Sequence, residues 1–179
     1  MASTITSPAA AADDVRDAAE EVAHTYGRSK EQLRGYLAVM AAYAVGFGAV
    51  SVALARSRRL PERIGLADGL LLATATHKLS RTLAKDAVAS PLRAPFTRFT
   101  GSADAPGEVD EDVRERDDST VAGELISCPF CLDHWVGAAF VTGLVVAPRL
   151  TRFIASTFAV RAGADFLQFA YAAAERAAE

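Results

Sequence analysis

The feature that most limits how this chain can fold is a run of 21 residues, Gly35 to Ala55, without a charged side chain. A helix of that length rises about 31 Å, enough to cross the ~30 Å hydrocarbon core of a bilayer. Four arginines and Pro61 follow the run at once and predict its end. The sequence therefore predicts a membrane-spanning helix over residues 35–55.

Composition supports a helical membrane protein. The 179 residues are 51% hydrophobic, and Ala, Val and Leu supply most of this share because only 8% are aromatic. We expect an all-α fold with one membrane domain over residues 33–179, preceded by a polar segment over residues 1–32 that is disordered or juxtamembrane. The net charge is -3 and the cations are scattered between apolar runs, which predicts the lipid bilayer and no nucleic acid as partner.

Further segments set the number of spans. Residues 129–147 and 152–174 are apolar, and the short connection between them predicts a C-terminal antiparallel helical hairpin. Residues 64–84 form either another span or an interfacial helix, because charges interrupt their apolar pattern. Residues 85–123 are rich in Pro, Gly and acidic side chains and predict an exposed loop. The predicted protein is thus polytopic, with three or four transmembrane helices.

The Lys and Arg residues suggest the orientation. With four spans the N-terminus lies inside under a modest cationic bias, and with three spans it lies outside under a stronger one. Both arrangements place the Cys128 end in the cytoplasm, where thiols stay reduced.

Cys128 and Cys131 are the only cysteines, and they stand at the predicted mouth of the helix over 129–147. Pro129 favours a first helical turn with Cys128 as N-cap, where the helix dipole stabilises a thiolate, so a thiol-disulfide oxidoreductase with Cys131 as resolving thiol is one hypothesis. A zinc site is another, since His134 continues the same helical stripe. Zinc needs four ligands, which a homodimer or the distant His24 or His77 would complete. The third and favoured alternative is packing of the thiols against residues 91–96.

Charged residues at membrane depth form a second group of candidates. Arg161 and Asp165 lie four residues apart on one helix and predict an ion pair within that helix. We expect the pair to be buried between helices, because each charge costs about 2.5–3.5 kcal/mol on membrane insertion. With Asp68 they form either a proton or ion path or a lock between helices, of which the lock is the commoner use. Lys78, Arg81 and Lys85 share one helical face, which we expect to meet lipid headgroups.

The segment from Ser90 to Phe96 predicts an extended stretch along the membrane interface, because two prolines remove backbone donors. Arg93 would lie at phosphate depth, with Pro95 fixing the backbone and Phe96 pointing inward. A rigid linker that caps helix ends is the alternative. Trp135 is expected to have a structural or interface role.

Several spaced motifs carry a resemblance to a known family. They are 75–81 (ATHKLSR), 85–86 (KD), 90–96 (SPLRAPF), 123–125 (GEL), 128–131 (CPFC) and Trp135. In this order they resemble an uncharacterised bacterial membrane family, domain of unknown function thirteen-sixty, over roughly residues 66–175. The resemblance implies a small polytopic membrane protein and no assigned activity. We therefore predict a structural or partner-binding membrane component, in a homo-oligomer or with another membrane protein, rather than an enzyme.

Overall fold

A computed structural model describes residues 17–18, 21–22, 25–27, 29–114 and 120–178. The helices from residue 30 onward are α1 (Lys30–Arg56), α2 (Leu66–Lys85), α3 (Ser90–Arg93), α4 (Thr120–Ser127), α5 (Pro129–Val146) and α6 (Pro148–Ala178). The strands β1 (Thr97–Ser102) and β2 (Val109–Val113) pair in antiparallel fashion. The predicted all-α class is thus confirmed in its mainly helical character, and it is wrong for residues 97–113.

Local signals explain where the two most apolar helices begin. Before α1, the Ser29 hydroxyl accepts from the Gln32 backbone N–H at 3.1 Å, and the Gln32 side chain accepts from the Ser29 N–H at 3.3 Å. This capping box starts α1 one turn before the uncharged run. Cys128 is the N-cap of α5, as predicted, and its Sγ accepts from the Cys131 N–H at 3.2 Å. Pro129 occupies the first turn, where a missing donor costs nothing.

The C-terminal hairpin is antiparallel, as predicted. Ala147 alone separates α5 from α6, and Gly143 lies so close to α6 that an added Cβ would be 2.7 Å from Thr151 Oγ1. Helix α2 packs against both members of the hairpin. Its direction is opposite to that of α5, because Thr76 lies beside Gly137 and Leu72 shares the core with Phe140 further along α5. The buried core is formed by Leu72, Ala75, Phe140 and Ala155.

Helix α1 runs in the same direction as α5. Near its start Gly35 lies against Val121 of α4, and two turns later Tyr43 contacts Trp135 of α5, with 5.3 Å between ring centroids. Later positions of α1 therefore meet later positions of the α4–α5 segment. Within the described residues α1 buries none of its side chains.

Residues 86–127 form what we call the cap. Its described part contains a 3-10 turn (Ala87–Ala89), α3, the β1–β2 hairpin and α4. An added Cβ on Gly123 would lie 2.6 Å from Val113 Cγ1 and 3.1 Å from the Phe96 carbonyl oxygen, so α4 packs tightly on the hairpin. The prediction of an exposed loop over 85–123 is therefore wrong for the described residues, since intervening turns bring distant parts of the segment together.

The bundle consequently has two distinct ends. The cap end contains the N-termini of α1 and α5 and the C-terminus of α2. The far end contains the C-terminus of α1 and the turn between α5 and α6. Among the described helices, α1 and α5 are long and apolar enough to cross a membrane, judged by length and composition alone. The helices predicted over 64–84 and 152–174 exist as α2 and α6, but they do not meet the same measure of apolarity.

Candidate functional site

Arg93 is the most deeply buried charge in the described chain, with 0% of its surface exposed. Its guanidinium forms a fork with Glu111 on β2, in which Nε donates to Oε2 at 2.9 Å and Nη2 to Oε1 at 3.0 Å. Nη1 donates to the Leu83 carbonyl oxygen at 2.8 Å, and both terminal nitrogens reach the Asp86 carbonyl oxygen at 3.2 Å. Arg93 therefore closes the end of α2, where carbonyls lack partners within the helix.

Glu111 completes this buried network. Besides Arg93, the Ser90 hydroxyl lies 3.0 Å from its Oε1 and the Thr97 hydroxyl 2.7 Å from its Oε2. Burial alone would raise the pKa of the Glu111 carboxyl, but the hydrogen bonds from Arg93, Thr97 and Ser90 outweigh burial and lower the pKa below its ordinary value of 4.5. The carboxylate is thus held in its charged form.

The structure corrects the predicted role of residues 90–96. Arg93 is buried against Glu111 and not placed at phosphate depth, and Ser90–Arg93 is helical rather than extended. Pro91 allows this because a proline fits the first turn of a helix. Pro95 is exposed and Phe96 half-buried, with the Phe96 carbonyl accepting from the Arg114 N–H at 2.8 Å. The alternative of a segment that caps a helix end describes this region better.

Three ion pairs connect α2 and Asp86, its C-cap, to α6. Asp68 pairs with Arg152 through two contacts of 2.8 Å, and Lys78 Nζ lies 2.7 Å from Asp165 Oδ2. The third pair joins Asp86 and Arg161 at 3.5 Å. The predicted Arg161–Asp165 pair is therefore wrong. A pair within a helix contributes only about 0.2–0.5 kcal/mol, and both side chains instead meet an opposite charge on the neighbouring helix.

Lys78 on the basic face of α2 points into the protein and is 8% exposed, so the prediction that this face meets lipid headgroups is wrong for Lys78. Arg81 forms a fork with Glu108 at 2.6 and 2.9 Å and keeps 43% of its side chain exposed. Lys85 is half-buried. A polar cavity of about 460 Å³ lies between α2, α6 and the hairpin tip, and its lining includes His77, Lys78, Arg81, Asp86, Glu108 and Asp165.

The predicted thiol residues lie on a different surface. An open groove of about 980 Å³, which we call the α1 groove, separates α1 from α4 and α5. Cys128, Cys131, His134 and Trp135 line one wall, and the other wall comes from α1. The Tyr43 ring lies edge-on to His134, at 6.4 Å between centroids, as it does to Trp135. The thiols line the groove opposite α1, and their packing against residues 91–96 stays a prediction.

This arrangement brings the thiols together without assembling a metal site. His134 Nδ1 lies 3.0 Å from Asp133 Oδ1 and 3.1 Å from the Phe130 carbonyl oxygen. No three His, Cys, Asp or Glu side chains converge on a metal position in the part of the chain that the structure describes. His77 lines the polar cavity instead, and His24 is outside the described residues. A zinc-linked homodimer stays a prediction.

Glu108, Glu111 and Tyr43 are not among the site residues that the sequence predicts. Both glutamates fall in the predicted exposed loop over 85–123, yet residues 109–113 read Val-Asp-Glu-Asp-Val, so that Glu111 shares one strand face with two valines. That alternation with a period of two was the available signal for a strand with a buried carboxylate. Nothing in the sequence marks Tyr43, because its partners are about ninety residues away.

Comparisons with known proteins agree with the resemblance found in the sequence. The model of a family described as "Protein of unknown function (DUF1360)" matches residues 71–171, from within α2 to within α6. The chain is also 26% identical over 101 residues to "Sporulation protein YjcA" of Bacillus subtilis (strain 168), which covers 55% of this chain and 86% of that protein.

No solved structure matches the chain. Neither the family description nor the name of the relative indicates a biochemical activity, and neither supports a thiol-disulfide oxidoreductase. Since the match over residues 71–171 includes more than half of the 179 residues, the chain belongs to the DUF1360 family.

Proposed function

We propose that this chain is a small integral membrane protein of four crossing helices that serves as a structural or partner-binding component of the bacterial inner membrane. The parallel direction of α1 and α5 carries this proposal. Both have the length and composition of a span, and both start at the cap end. A chain that crosses a bilayer twice in one direction must return between the two crossings, and α2 is the helix that returns.

The lengths of the helices agree with four crossings. α2 has 20 residues and rises about 30 Å, and α6 has 31 residues and rises about 46 Å. A three-span arrangement with α2 at the interface would make α1 and α5 antiparallel. The observed direction thus favours the arrangement with both termini on one side.

The charges of α2 and α6 are compatible with membrane depth. Ionisable groups in a bilayer face the protein interior and pair with one another because exposure to hydrocarbon is costly. Lys78 follows this rule, since its side chain is 10% exposed and pairs with Asp165. Asp68 and Asp86 have their own arginine partners on α6. These pairs support a lock between helices, as expected for charges that hold a bundle together.

The exposed surface of α1 also supports a membrane setting. Its large apolar side chains are uncovered, including Leu37 at 64%, Met40 at 67% and Val45 at 71% exposure. In water this surface would be a large exposed apolar patch, which soluble monomers rarely have. In a membrane, lipid tails or another membrane protein would cover it.

The arrangement of buried charges favours a structural role. Arg93 donates hydrogen bonds to Glu111, Ser90 and the end of α2, so this cluster holds the cap against the bundle. The relative from Bacillus subtilis is named for a process, sporulation, and not for a reaction. We propose that this chain and that relative share the role of a membrane scaffold. Each would bind a second copy of itself or another membrane protein.

Fractionation and cysteine accessibility test this proposal. We expect the protein to stay in the membrane pellet after carbonate extraction. In a Cys128→Ser/Cys131→Ser background, single cysteines replace Ser57 at the far end, Ala103 in the hairpin or Ala178 at the end of α6. An impermeant maleimide should label the Ser57 position in intact cells, and the other two only after permeabilisation.

Two outcomes would overturn the proposal. Recovery of the protein in the soluble fraction removes the membrane assignment. Labelling of the Ser57 and Ala103 positions from the same side means that α2 does not cross, which removes the four-helix topology. The wild-type protein is a further check, because its Cys128 and Cys131 should be labelled from the same side as a cysteine at position 103.

A further inference from the structure

We propose that the far end of the bundle binds the phosphate groups of anionic phospholipids in the leaflet around it. This inference rests on the proposed membrane function, and it assigns a ligand class to a surface that takes no part in holding the fold together. The surface is formed by five exposed arginines, which we call the far-end arginines: Arg56, Arg58, Arg59, Arg63 and Arg149.

The far-end arginines come from two parts of the chain that meet at one end of the bundle. Four of them fall within residues 56–63, in the last turn of α1 and the segment that joins α1 to α2. The fifth, Arg149, is in the first turn of α6, one turn before Arg152. Two contacts of 2.8 Å between Arg152 and Asp68 hold the start of α6 against the start of α2. The same end of the molecule therefore presents all five cations.

The far-end arginines differ from the arginines that hold the fold together. Arg93 and Arg152 each form a fork with a carboxylate. No far-end arginine pairs with a carboxylate among the described residues. Glu62 is the one exposed acid in residues 56–66 and 147–153. This end is therefore strongly cationic, and its guanidinium donors are available to an anion from outside the chain.

Large apolar side chains lie among these arginines and favour a lipid surface over a soluble polyanion. In the joining segment Leu60 is 50% exposed and Ile64 41%, and at the start of α6 Leu150 is 58% and Phe153 70% exposed. A soluble polyanion would contact the cations and leave these side chains in water. At a bilayer the apolar side chains enter the acyl boundary while the guanidinium groups stay with the phosphates.

The position of the arginines along α1 gives them the right depth. Arg56 is the first charged residue after the uncharged run that ends at Ala55. In the proposed membrane setting, the end of a run of this length lies where hydrocarbon gives way to headgroups. Arginine binds phosphate oxygens through two parallel N–H bonds, so the far-end arginines complement a lipid with a net negative headgroup better than a zwitterionic one.

Quenching of a tryptophan at position 60 tests the proposal. Leu60→Trp in a Trp135→Phe background places the single indole between Arg59 and Arg63 in the sequence. The full chain is reconstituted in mixtures of phosphatidylglycerol and phosphatidylcholine in which one of the two lipids carries brominated acyl chains. Exchange of the brominated lipid gives the relative affinity of the two lipids for this surface. We expect a preference for phosphatidylglycerol of roughly fivefold, the effect of one cation near an anionic lipid.

Two variants with equal loss of charge locate the effect. Arg59→Gln/Arg63→Gln should lower the preference for phosphatidylglycerol to below about twofold, because these cations flank the probe. Arg98→Gln/Arg176→Gln is the matched control, since it removes two exposed arginines from β1 and from the end of α6, and it should keep the preference of the probe protein. An unchanged preference in the first variant, or an equal reduction in both, overturns the inference.

Soluble anions separate a lipid headgroup from free phosphate. Inorganic phosphate and chloride at equal ionic strength should weaken the preference to the same extent, because both only screen the charges. A stronger effect of inorganic phosphate means that the arginines bind a free anion, which overturns the lipid assignment. A probe protein that enters the vesicles without preferring phosphatidylglycerol overturns this inference alone, whereas failure to enter the vesicles overturns the membrane function as well.

Discussion

The core of the bundle and α1 are held in different ways. The ion pairs Asp68–Arg152 and Lys78–Asp165 join helix α2 to α6. The Arg81–Glu108 pair joins α2 to the β1–β2 hairpin, and Arg93 donates to a carbonyl oxygen at the end of α2. Helix α1 is longer, carries no charge over most of its length and buries no described side chain. The most apolar helix is thus the least fixed, and α2, which carries four charged residues, is the centre of the fold.

In the proposed membrane setting, the physical chemistry of lipid accounts for this difference. Between helices in a bilayer the hydrophobic effect offers little driving force, because lipid tails are as apolar as leucine side chains. Close packing and polar contacts then decide which helices associate. The family match follows the same division. Residues 71–171 include most of α2, the cap and most of the α5–α6 hairpin, and they exclude α1. The matched residues therefore include both members of the Lys78–Asp165 and Arg93–Glu111 pairs.

Replacement of Arg93 by alanine should cause the largest loss of stability. It leaves the Glu111 carboxylate buried without a cation, which commonly costs about 3–5 kcal/mol. Thermal or denaturant unfolding in detergent measures the loss. Arg98→Ala is the matched control on β1, where the side chain is exposed, and should stay within about 0.5 kcal/mol of wild type. Equal losses for the two variants would contradict a central role for Arg93.

Replacement of Lys78 by methionine should have a smaller effect, about 1.5–3 kcal/mol, because it leaves the Asp165 carboxylate without the cation that pairs with it. The Asp165 side chain is 42% exposed, so water screens part of the loss. A double-mutant cycle assigns the partner. Lys78→Met and Asp165→Asn should be coupled, whereas Arg161→Met and Asp165→Asn should be additive. Coupling in the second cycle would restore the pairing within α6 that the sequence predicts.

The sequence was sufficient for the features that depend on local signals. The N-cap at Cys128, the hairpin of α5 and α6 and the helices over 35–55 and 64–84 each follow from residues close together in the chain. The family was likewise identifiable, because its motifs occur as short blocks in a fixed order. Local composition also predicted that α2 carries charges, although not where those charges point.

The failures all concern partners that are distant in sequence. Arg93 meets Glu111 only because a hairpin forms between them, and the acidic residues of that hairpin resemble a solvated loop when read one by one. Arg161 and Asp165 have acceptable partners in each other, and only the parallel course of α2 and α6 offers each a partner on the neighbouring element. Helix direction is a tertiary property, so periodicity alone could not choose between these pairings.

The buried carboxylate of Glu111 predicts a dependence of stability on pH. Its pKa is lowered from 4.5 in the folded protein, so the unfolded chain binds a proton first as the pH falls. The stabilisation by Glu111 is therefore complete above about pH 4.5 and is lost as the pH falls through the folded-state pKa. We expect the unfolding temperature to decline in this acidic range. Glu111→Gln should start lower at neutral pH and decline less steeply. An identical slope in the variant would show that other groups carry the acid sensitivity.

The smallest predicted effect concerns the docking of α1. Gly35→Ala and Gly46→Ala bring the same change in helix propensity, about 1 kcal/mol, so the difference between them reports contact with the rest of the protein. A Cβ at Gly35 would clash with Val121 at 2.7 Å, whereas a Cβ at Gly46 meets nothing within 4 Å. If the clash costs about 1 kcal/mol of docking, the half-buried Cys128 should react with maleimide roughly fivefold faster in Gly35→Ala, because α1 forms the facing wall of its groove.

Gly46→Ala should leave the rate of Cys128 labelling at the wild-type value. Unfolding temperatures should barely separate the two variants, since α1 contributes few contacts to the core. The combination distinguishes a local opening of the α1 groove from a general loss of stability, in which both cysteines and the unfolding temperature would change together. Equal labelling rates in the two glycine variants would mean that α1 does not rest on Val121. In that case the difference between a fixed core and a lightly held α1 would be larger than the structure shows.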